Sequence, residues 1–557
     1  MKKILVSLII LGLIGIIGLN GVNNKRVLSE SEDIYCEVPL SIFSREKAEG
    51  FLIPIILLNK SELDKKIIEV EFYKEDGSLI LKKKIEEVIK GANIKLSDDE
   101  IRDKIGIILP DKEIIDKAKN LLNEAKTLEK GDERNKKVES SWYLLTMNYK
   151  EKKVEDKERE TILPYIKGLT YDITLKDLNI KPTPPDFVNI KIKITFLNPD
   201  DSQTTIEKET TLFYLTSLPS QWGWYPGDGH IHTNWSDGSY SIMNRRDQAY
   251  NAGLKWIIIT DHAGNSSDTL QQNEWSSYIN ECNNAQNVIP NITVCPGEEL
   301  HTDDNFRNSH LLTYKNSLYV SSYGTCQELI NRVKTNNGIP IIAHPYHILY
   351  PWKDWSASGF NGLEIISGQD GYSTQAVNRW DTILTTNLQN IISGSYPKVI
   401  GIANSDTHSI GYFGINMNYI YTASQSPPGT NRSQVYNNLI AGRVTASSDG
   451  SLAVFSLNGY APGSIVNVTP RDNNITIVVN GESIYGYNTY YCEIKVIKNG
   501  TQILQDGFYN SKIENKTYIF TARSDCYYRV EVVFYTLLND LYIYSYCFVS
   551  PIYVNIP

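Results

Sequence analysis

Apolar and polar residues alternate at Ile190, Ile192, Ile194 and Phe196. A period of two predicts a half-buried strand. Asn198-Pro199-Asp200-Asp201 then reads as a turn into a second β-rich run ending near Leu215. Upstream, Ile114, Ala118, Leu121, Ala125 and Leu128 step by three and four through a charged background. That spacing predicts an amphipathic helix, packed on the sheet or inserted between strands. Residues 33–220 thus read as an N-terminal β-sandwich-like region with a helical insertion.

The pattern changes over residues 222–448. Continuous apolar runs alternate with helical stretches: Trp256-Ile257-Ile258-Ile259, Ile339-Pro340-Ile341-Ile342-Ala343, Leu363-Glu364-Ile365-Ile366 and Val399-Ile400-Gly401-Ile402-Ala403. Such runs predict buried parallel strands, as in an α/β barrel. Over residues 450–557 the chain reads as β again, with Asn499-Gly500 as a hairpin signal. This predicts a small C-terminal sandwich of immunoglobulin type. Its many tyrosines read as sheet packing in preference to a carbohydrate-binding surface. The chain is expected to be multidomain, α/β plus all-β.

Its 557 residues suit two to four domains, and the net charge of −9 gives no nucleic-acid signal. Lys2-Lys3 precede an apolar stretch from Ile4 to Leu19, which reads as a signal peptide or an uncleaved anchor within residues 1–26. The expected location is secreted or cell-surface, with membrane contact only if that segment is retained. None of the seven cysteines forms C-x-x-C, so a thiolate metal site has no support. Cys282 with Cys326, or two of Cys492, Cys526 and Cys547, are candidate disulfides; buried free thiols are the alternative.

All eight histidines lie between His230 and His408. His230 and His232 form H-x-H, and on extended backbone both rings point the same way. Asp237 follows in Ser236-Asp237-Gly238, where a turn returns a carboxylate to the same place. Asp261-His262 and His344 end apolar runs, His310 opens a short strand, and Asp406-Thr407-His408 repeats the two-residue spacing. In Gly297-Glu298-Glu299 either carboxylate suits a bridging role, and spacing does not choose between them. Asp261 is expected to orient a ring or cap a helix. His301 and His347 read as partly exposed bystanders, or as second-layer or substrate-facing groups. Trp352, Trp355, Tyr372 and Trp380 follow strands and read as cleft-shaping or packing residues. There is no P-loop, dinucleotide fingerprint or G-x-S-x-G elbow.

Nitrogen and carboxylate ligands without thiolate suit Zn, Mn or Fe. So many ligands exceed one ion's needs and imply two or three closely spaced divalent metals. Clustered ions acidify water and neutralise anionic oxygens, chemistry suited to hydrolysis at phosphorus.

With these residues, the segment from about 227 to 448 resembles the PHP (polymerase and histidinol phosphatase) family. The ordered set H-x-H…S-D-G, T-D-H, G-E-E, S-H, A-H-P and S-D-T-H carries the resemblance. Trp224-Tyr225-Pro226-Gly227-Asp228-Gly229-His230 is similar to its exported, carbaryl hydrolase-like branch, as are the β-rich flanks and Ser550-Pro551-Ile552-Tyr553-Val554. The resemblance implies a distorted (β/α)7 barrel with a trinuclear site. Carried over by motif, His230, His232 and Asp406 hold one ion, and Glu299 bridges it to a second held by His310 and His344. Asp237, His262 and His408 hold the third; some relatives have His in place of Asp237, which bears on metal preference there.

The leading expectation is an exported phosphoesterase in which a metal-bridging hydroxide attacks phosphorus. The alternatives are a carboxylic or carbamic ester hydrolase of carbaryl hydrolase type, and a surface protein with structural metals whose β-domains bind cell-surface glycan. No protein side chain is assigned as a general acid.

Overall fold

The computed structural model describes residues 33–557, except 47, 49, 106, 148–149, 152–161, 163–164, 180, 266–268, 289–291, 303–308, 369–370, 409–413, 423–427, 429–430 and 470–472. The proposed signal or anchor, residues 1–26, lies outside the described residues. No helix among the described residues is long and apolar enough to cross a membrane.

Two sheets face each other in the N-terminal part. One orders Ile34–Glu37, Gly50–Asn59 and Lys167–Thr174; the other orders Ser41–Arg45, Gln203–Leu215, Asp186–Leu197, Lys65–Lys74 and Leu79–Ile89. The alternation at Ile190, Ile192, Ile194 and Phe196 puts all four into a core shared with Ile53, Ile55 and Leu57 of the facing sheet. The helices Lys112–Thr127 and Asp132–Met147 are the insertion. Ala118, Leu121 and Ala125 bury against Phe213 and Leu215 of the sandwich and against Leu538 and Ile543 of the C-terminal part. The amphipathic stripe therefore seals a junction as well as a sheet.

In the middle part the strands Trp224–Asp228, Trp256–Ile259 and Thr293–His301 run parallel. His310–Tyr314 inserts antiparallel, and Ile339–Ile342, Gly362–Ser367 and Ile400–Asn404 resume the parallel order. The wall thus has six parallel strands and one reversed member. It closes past the strand ends, where Ile231 bridges Thr407. Asn418, on Met417–Tyr421, adds side-chain bonds to Ala403 N (2.8 Å) and Ala403 O (2.6 Å). Strand alternation explains the layering. Ile257 and Ile259 pack outward with Ala249, Tyr278 and Cys282. Ile258 points into a second core with Ile341 and Ile402. Each such burial contributes roughly 1.5–3 kcal/mol.

The C-terminal part continues this sheet without a break. Val444–Ser447 pairs with Met417–Tyr421 on one side and with Leu541–Asn555 on the other. Cys526–Leu538, Thr489–Lys498 and Thr501–Phe508 extend it, opposite a sheet of Leu452–Leu457, Asn474–Glu482 and Lys512–Thr521. Asn499 (φ 47°) and Gly500 (φ 76°) make the expected hairpin turn.

The candidate disulfides are corrected: all seven cysteines are buried free thiols. Cys282 and Cys326 belong to separate apolar cores. The thiols of Cys492 and Cys547 donate instead to the carbonyls of Asn510 (2.6 Å) and Ser451 (3.2 Å).

Candidate metal centre

The histidine motifs meet where the barrel strands end. Beyond Asp228 the backbone stays extended, so Ile231 points into the core while His230 and His232 share the other face. The amide of His232 donates to Thr407 O (3.0 Å), joining H-x-H to D-T-H. A turn closed by Gly238 N on Thr233 O (2.9 Å) brings Asp237 back over them. A Cβ on Gly238 would lie 2.6 Å from the His232 backbone, so this return needs glycine. His344 (φ 23°) and Asp406 (φ 51°) occupy positive-φ backbone that non-glycine residues rarely adopt. Such strain collects at functional sites.

Glu299 is the hub. Its Oε1 lies 2.7 Å from His310 Nδ1 and 3.1 Å from His344 Nε2. Its Oε2 lies 3.3 Å from His230 Nε2, 3.2 Å from His232 Nε2 and 3.0 Å from His262 Nδ1. Asp406 Oδ1 faces the Nε2 atoms of His230 and His232 at 3.1 and 3.2 Å, and those two nitrogens are 3.1 Å apart. Asp237 Oδ2 lies 3.3 Å from His408 Nε2 and 3.8 Å from His262 Nε2. Three groups of ligand atoms, each within 4.8 Å of one another, are His230, His232, Glu299 and Asp406; His262, Glu299 and His310; and His232, Asp237, His262 and His408. These groups hold eight of the nine candidate ligands, and His344 joins them through Glu299 Oε1.

These residues fit divalent metals. Five of the six separations among His230 Nε2, His232 Nε2, Glu299 Oε2 and Asp406 Oδ1 span 3.1–3.3 Å. Nitrogen and carboxylate donors within 4.8 Å of one another can be spanned by a single divalent ion. Burial opposes charge on His230, yet Asp406, Glu299 and Glu364 push it well above its ordinary value. The pocket thus favours positive charge at that point. Burial holds His408 neutral, pushed down to about 3.

Supporting groups fix the rings. Glu364 Oε1 is 3.0 Å from His230 Nδ1 and accepts from Asn404 Nδ2 (2.8 Å), while Oε2 accepts from His344 N (2.6 Å). Asp228 accepts from the amides of His230 and Ser405, both at 3.2 Å, and burial pushes its carboxyl up to about 7. His408 Nδ1 lies 2.9 Å from Asp406 O, which turns Nε2 toward Asp237. Sequence reasoning gave Glu364, Asn404 and Asp228 no role. A lone carboxylate inside an apolar strand run was the available signal for Glu364, because a buried charge needs a partner.

Several expectations change. Glu298 points away from the cluster, accepting from Asn316 Nδ2 and from Val320 N (3.2 Å). Asp261 neither orients a ring nor caps a helix; it accepts from Thr233 N (2.7 Å), Thr233 Oγ1 (2.7 Å) and Ser236 Oγ (2.7 Å), holding the loop that carries Asp237. His301 is a buried neighbour of the cluster, with Nε2 2.9 Å from His262 Nδ1. Half-buried His347 stacks on Tyr350, which stacks on His310. Trp352 and Trp380 are packing residues, and Trp355 stacks on Tyr346. Tyr372 lines a cavity of about 360 Å³ that opens beside His344 and Glu364.

No protein-family model matches the chain, and no curated protein matches it. Solved structures with similarity include a two-domain protein of Bacteroides vulgatus for which a PHP-like metal-dependent phosphoesterase has been inferred (13% identity, 59% of this chain, 97% of that chain, TM-score 0.33). A proposed metal-dependent phosphoesterase of Bifidobacterium adolescentis shares 16% identity over 40% of this chain and 97% of its own, with TM-score 0.25. An amidohydrolase of Chromobacterium violaceum, solved with sulfate and no metal, shares 13% identity over 39% of this chain and 96% of its own, with TM-score 0.25. All three scores lie below 0.5, so the chemistry of this site rests on its own side chains.

Proposed function

We propose that the chain is a multinuclear metal-dependent hydrolase of phosphoric esters, built on a PHP-type barrel and working outside the cytoplasm. The observation that carries this reading is the close meeting of His230, His232, Glu299 and Asp406, with Glu299 reaching on to His262, His310 and His344. Divalent ions bound there supply Lewis acidity to phosphoryl oxygens and activate water for attack.

The chain's own groups prepare that chemistry. Glu364 holds His230 by Nδ1, which leaves Nε2 facing inward. The main-chain oxygen of Asp406 does the same for His408. All nine candidate ligands are buried, so the centre is shielded from bulk water. The cavity beside His344 is lined by Tyr346, Ser367, Tyr372, Thr374 and Gln375 and suits the alcohol part of an ester. Export is supported by Lys2-Lys3 and the apolar run that follows.

The test is a substrate panel with Mn or Zn: p-nitrophenyl phosphate, bis-p-nitrophenyl phosphate and p-nitrophenyl acetate. A phosphoester should dominate, and His232→Ala and Asp406→Ala should abolish its hydrolysis. Dominant acetate hydrolysis would move the assignment to carboxylic or carbamic esters. Bound metal without hydrolysis would support a binding protein.

A further inference from the structure

Tyrosines form a continuous path across the outer face of the C-terminal sheet. Tyr509 and Tyr491 have ring centres 5.4 Å apart, Tyr491 and Tyr535 5.2 Å, and Tyr535 and Tyr544 5.3 Å. Tyr546 follows two residues on, on the same face of the strand Leu541–Asn555. Tyr546 stacks on Tyr372 of the barrel at 4.7 Å. Tyr372 in turn lines the cavity beside His344 and Glu364. The outer rings are open: Tyr509 is 85% exposed and Tyr544 49%. Tyr491 lies flat across the sheet; a Cβ on Gly507 would sit 1.7 Å from its Oη, so the glycine makes room for the ring.

We propose that this path binds an extended chain of uncharged hydroxylated rings, an oligosaccharide, and leads its end into the cavity at the metal centre. An aromatic ring with a polar tip offers a face for the C–H side of a sugar and a hydroxyl for its edge. Single-stranded nucleic acid also stacks on aromatics but needs a basic groove along its backbone. The charges bordering this path are paired instead, as Lys495 with Glu493 (3.0 Å) and Arg529 with Glu531 (2.6 Å). A globular partner would cover the sheet but could not enter the cavity, whose walls offer Ser367, Ser373, Thr374 and Gln375. A hydroxylated chain satisfies both ends. Only the delivery of an ester to the metals rests on the phosphoesterase reading; the docking path does not.

The test is calorimetric titration of the metal-free full chain with cello-, chito-, malto- and laminari-oligosaccharides of two to six rings. At least one series should bind, with affinity rising with length. Tyr491→Ala and Tyr544→Ala should each weaken the hexaose about tenfold. Tyr460→Ala, an exposed tyrosine off the path, should leave binding unchanged, and all three should keep the parent's thermal midpoint. Two results overturn the proposal: no series binding at about 10 mM, or binding indifferent to Tyr491 and Tyr544. Because no metal is present, loss of the phosphoesterase reading would leave this result standing, and the converse also holds.

Discussion

Glu364 lies 3.0 Å from His230 Nδ1, on the side of the ring opposite Glu299 and Asp406. The two residues are 134 positions apart and both fully buried. Burial raises a carboxyl, but His230 brings Glu364 below its ordinary value. A carboxylate behind a ligating imidazole fixes its tautomer and strengthens it as a donor. Glu364→Gln should therefore keep the fold and lower metal affinity or p-nitrophenyl phosphate turnover about 10- to 100-fold. Unchanged turnover at limiting metal would remove Glu364 from the account.

Glu298 and Glu299 are neighbours with opposite fates. Strand alternation sends Glu299 to the cluster and Glu298 to Asn316 and Val320. Burial pushes Glu298 well above its ordinary value, which favours its neutral form. Glu298→Gln should leave turnover within about threefold, because an amide replaces a neutral carboxyl. Glu299→Gln should cost at least about 100-fold, because it removes the charge from the one carboxylate that faces His230, His232, His262, His310 and His344. Equal losses in the two variants would contradict the assignment.

A third expectation concerns pH and the domain junction. Glu139, on Asp132–Met147, accepts from Asn488 Nδ2 (2.5 Å), and burial raises its carboxyl from an ordinary 4.5 to about 8. The folded chain thus keeps a proton that the unfolded chain releases. This contribution is fully present below about pH 4.5, falls as pH rises toward 8, and is flat above that. At about 1.4 kcal/mol per unit it amounts to a few kcal/mol. In urea titrations the difference in stability between the parent and Glu139→Gln should shift by that amount between acid and mildly alkaline pH. A pH-independent difference would show that Glu139 titrates normally.

Much of the cluster is legible in the sequence because its residues obey short-range rules. The i, i+2 pairs at His230 and at Asp406 follow from extended backbone, and the apolar runs before His262 and His344 mark strand ends. Glu298 against Glu299 needed strand parity, which Gly297-Glu298-Glu299 alone does not carry. Glu364, Asn404 and Asp228 were illegible for another reason. Their partners lie far away in sequence, and only barrel closure brings them together. For His301 the sequence leaves a partly exposed bystander and a second-layer group both open, because nothing local shows that its antiparallel partner is His310. The C-terminal part, which the sequence presents as a sandwich of its own, is joined to the barrel sheet by Val444–Ser447 and Leu541–Asn555. Its tyrosines divide as alternation requires: Tyr528 packs the core, while Tyr544 faces solvent.

The nine residues are proposed to hold metals that hydrolyse phosphoesters. The most direct test is p-nitrophenyl phosphate hydrolysis by the chelator-stripped full chain as Zn or Mn is added back. Activity should be absent without metal, rise with each equivalent, and saturate at two or three per chain. Full activity in the stripped protein, or none at saturating metal, would contradict that role.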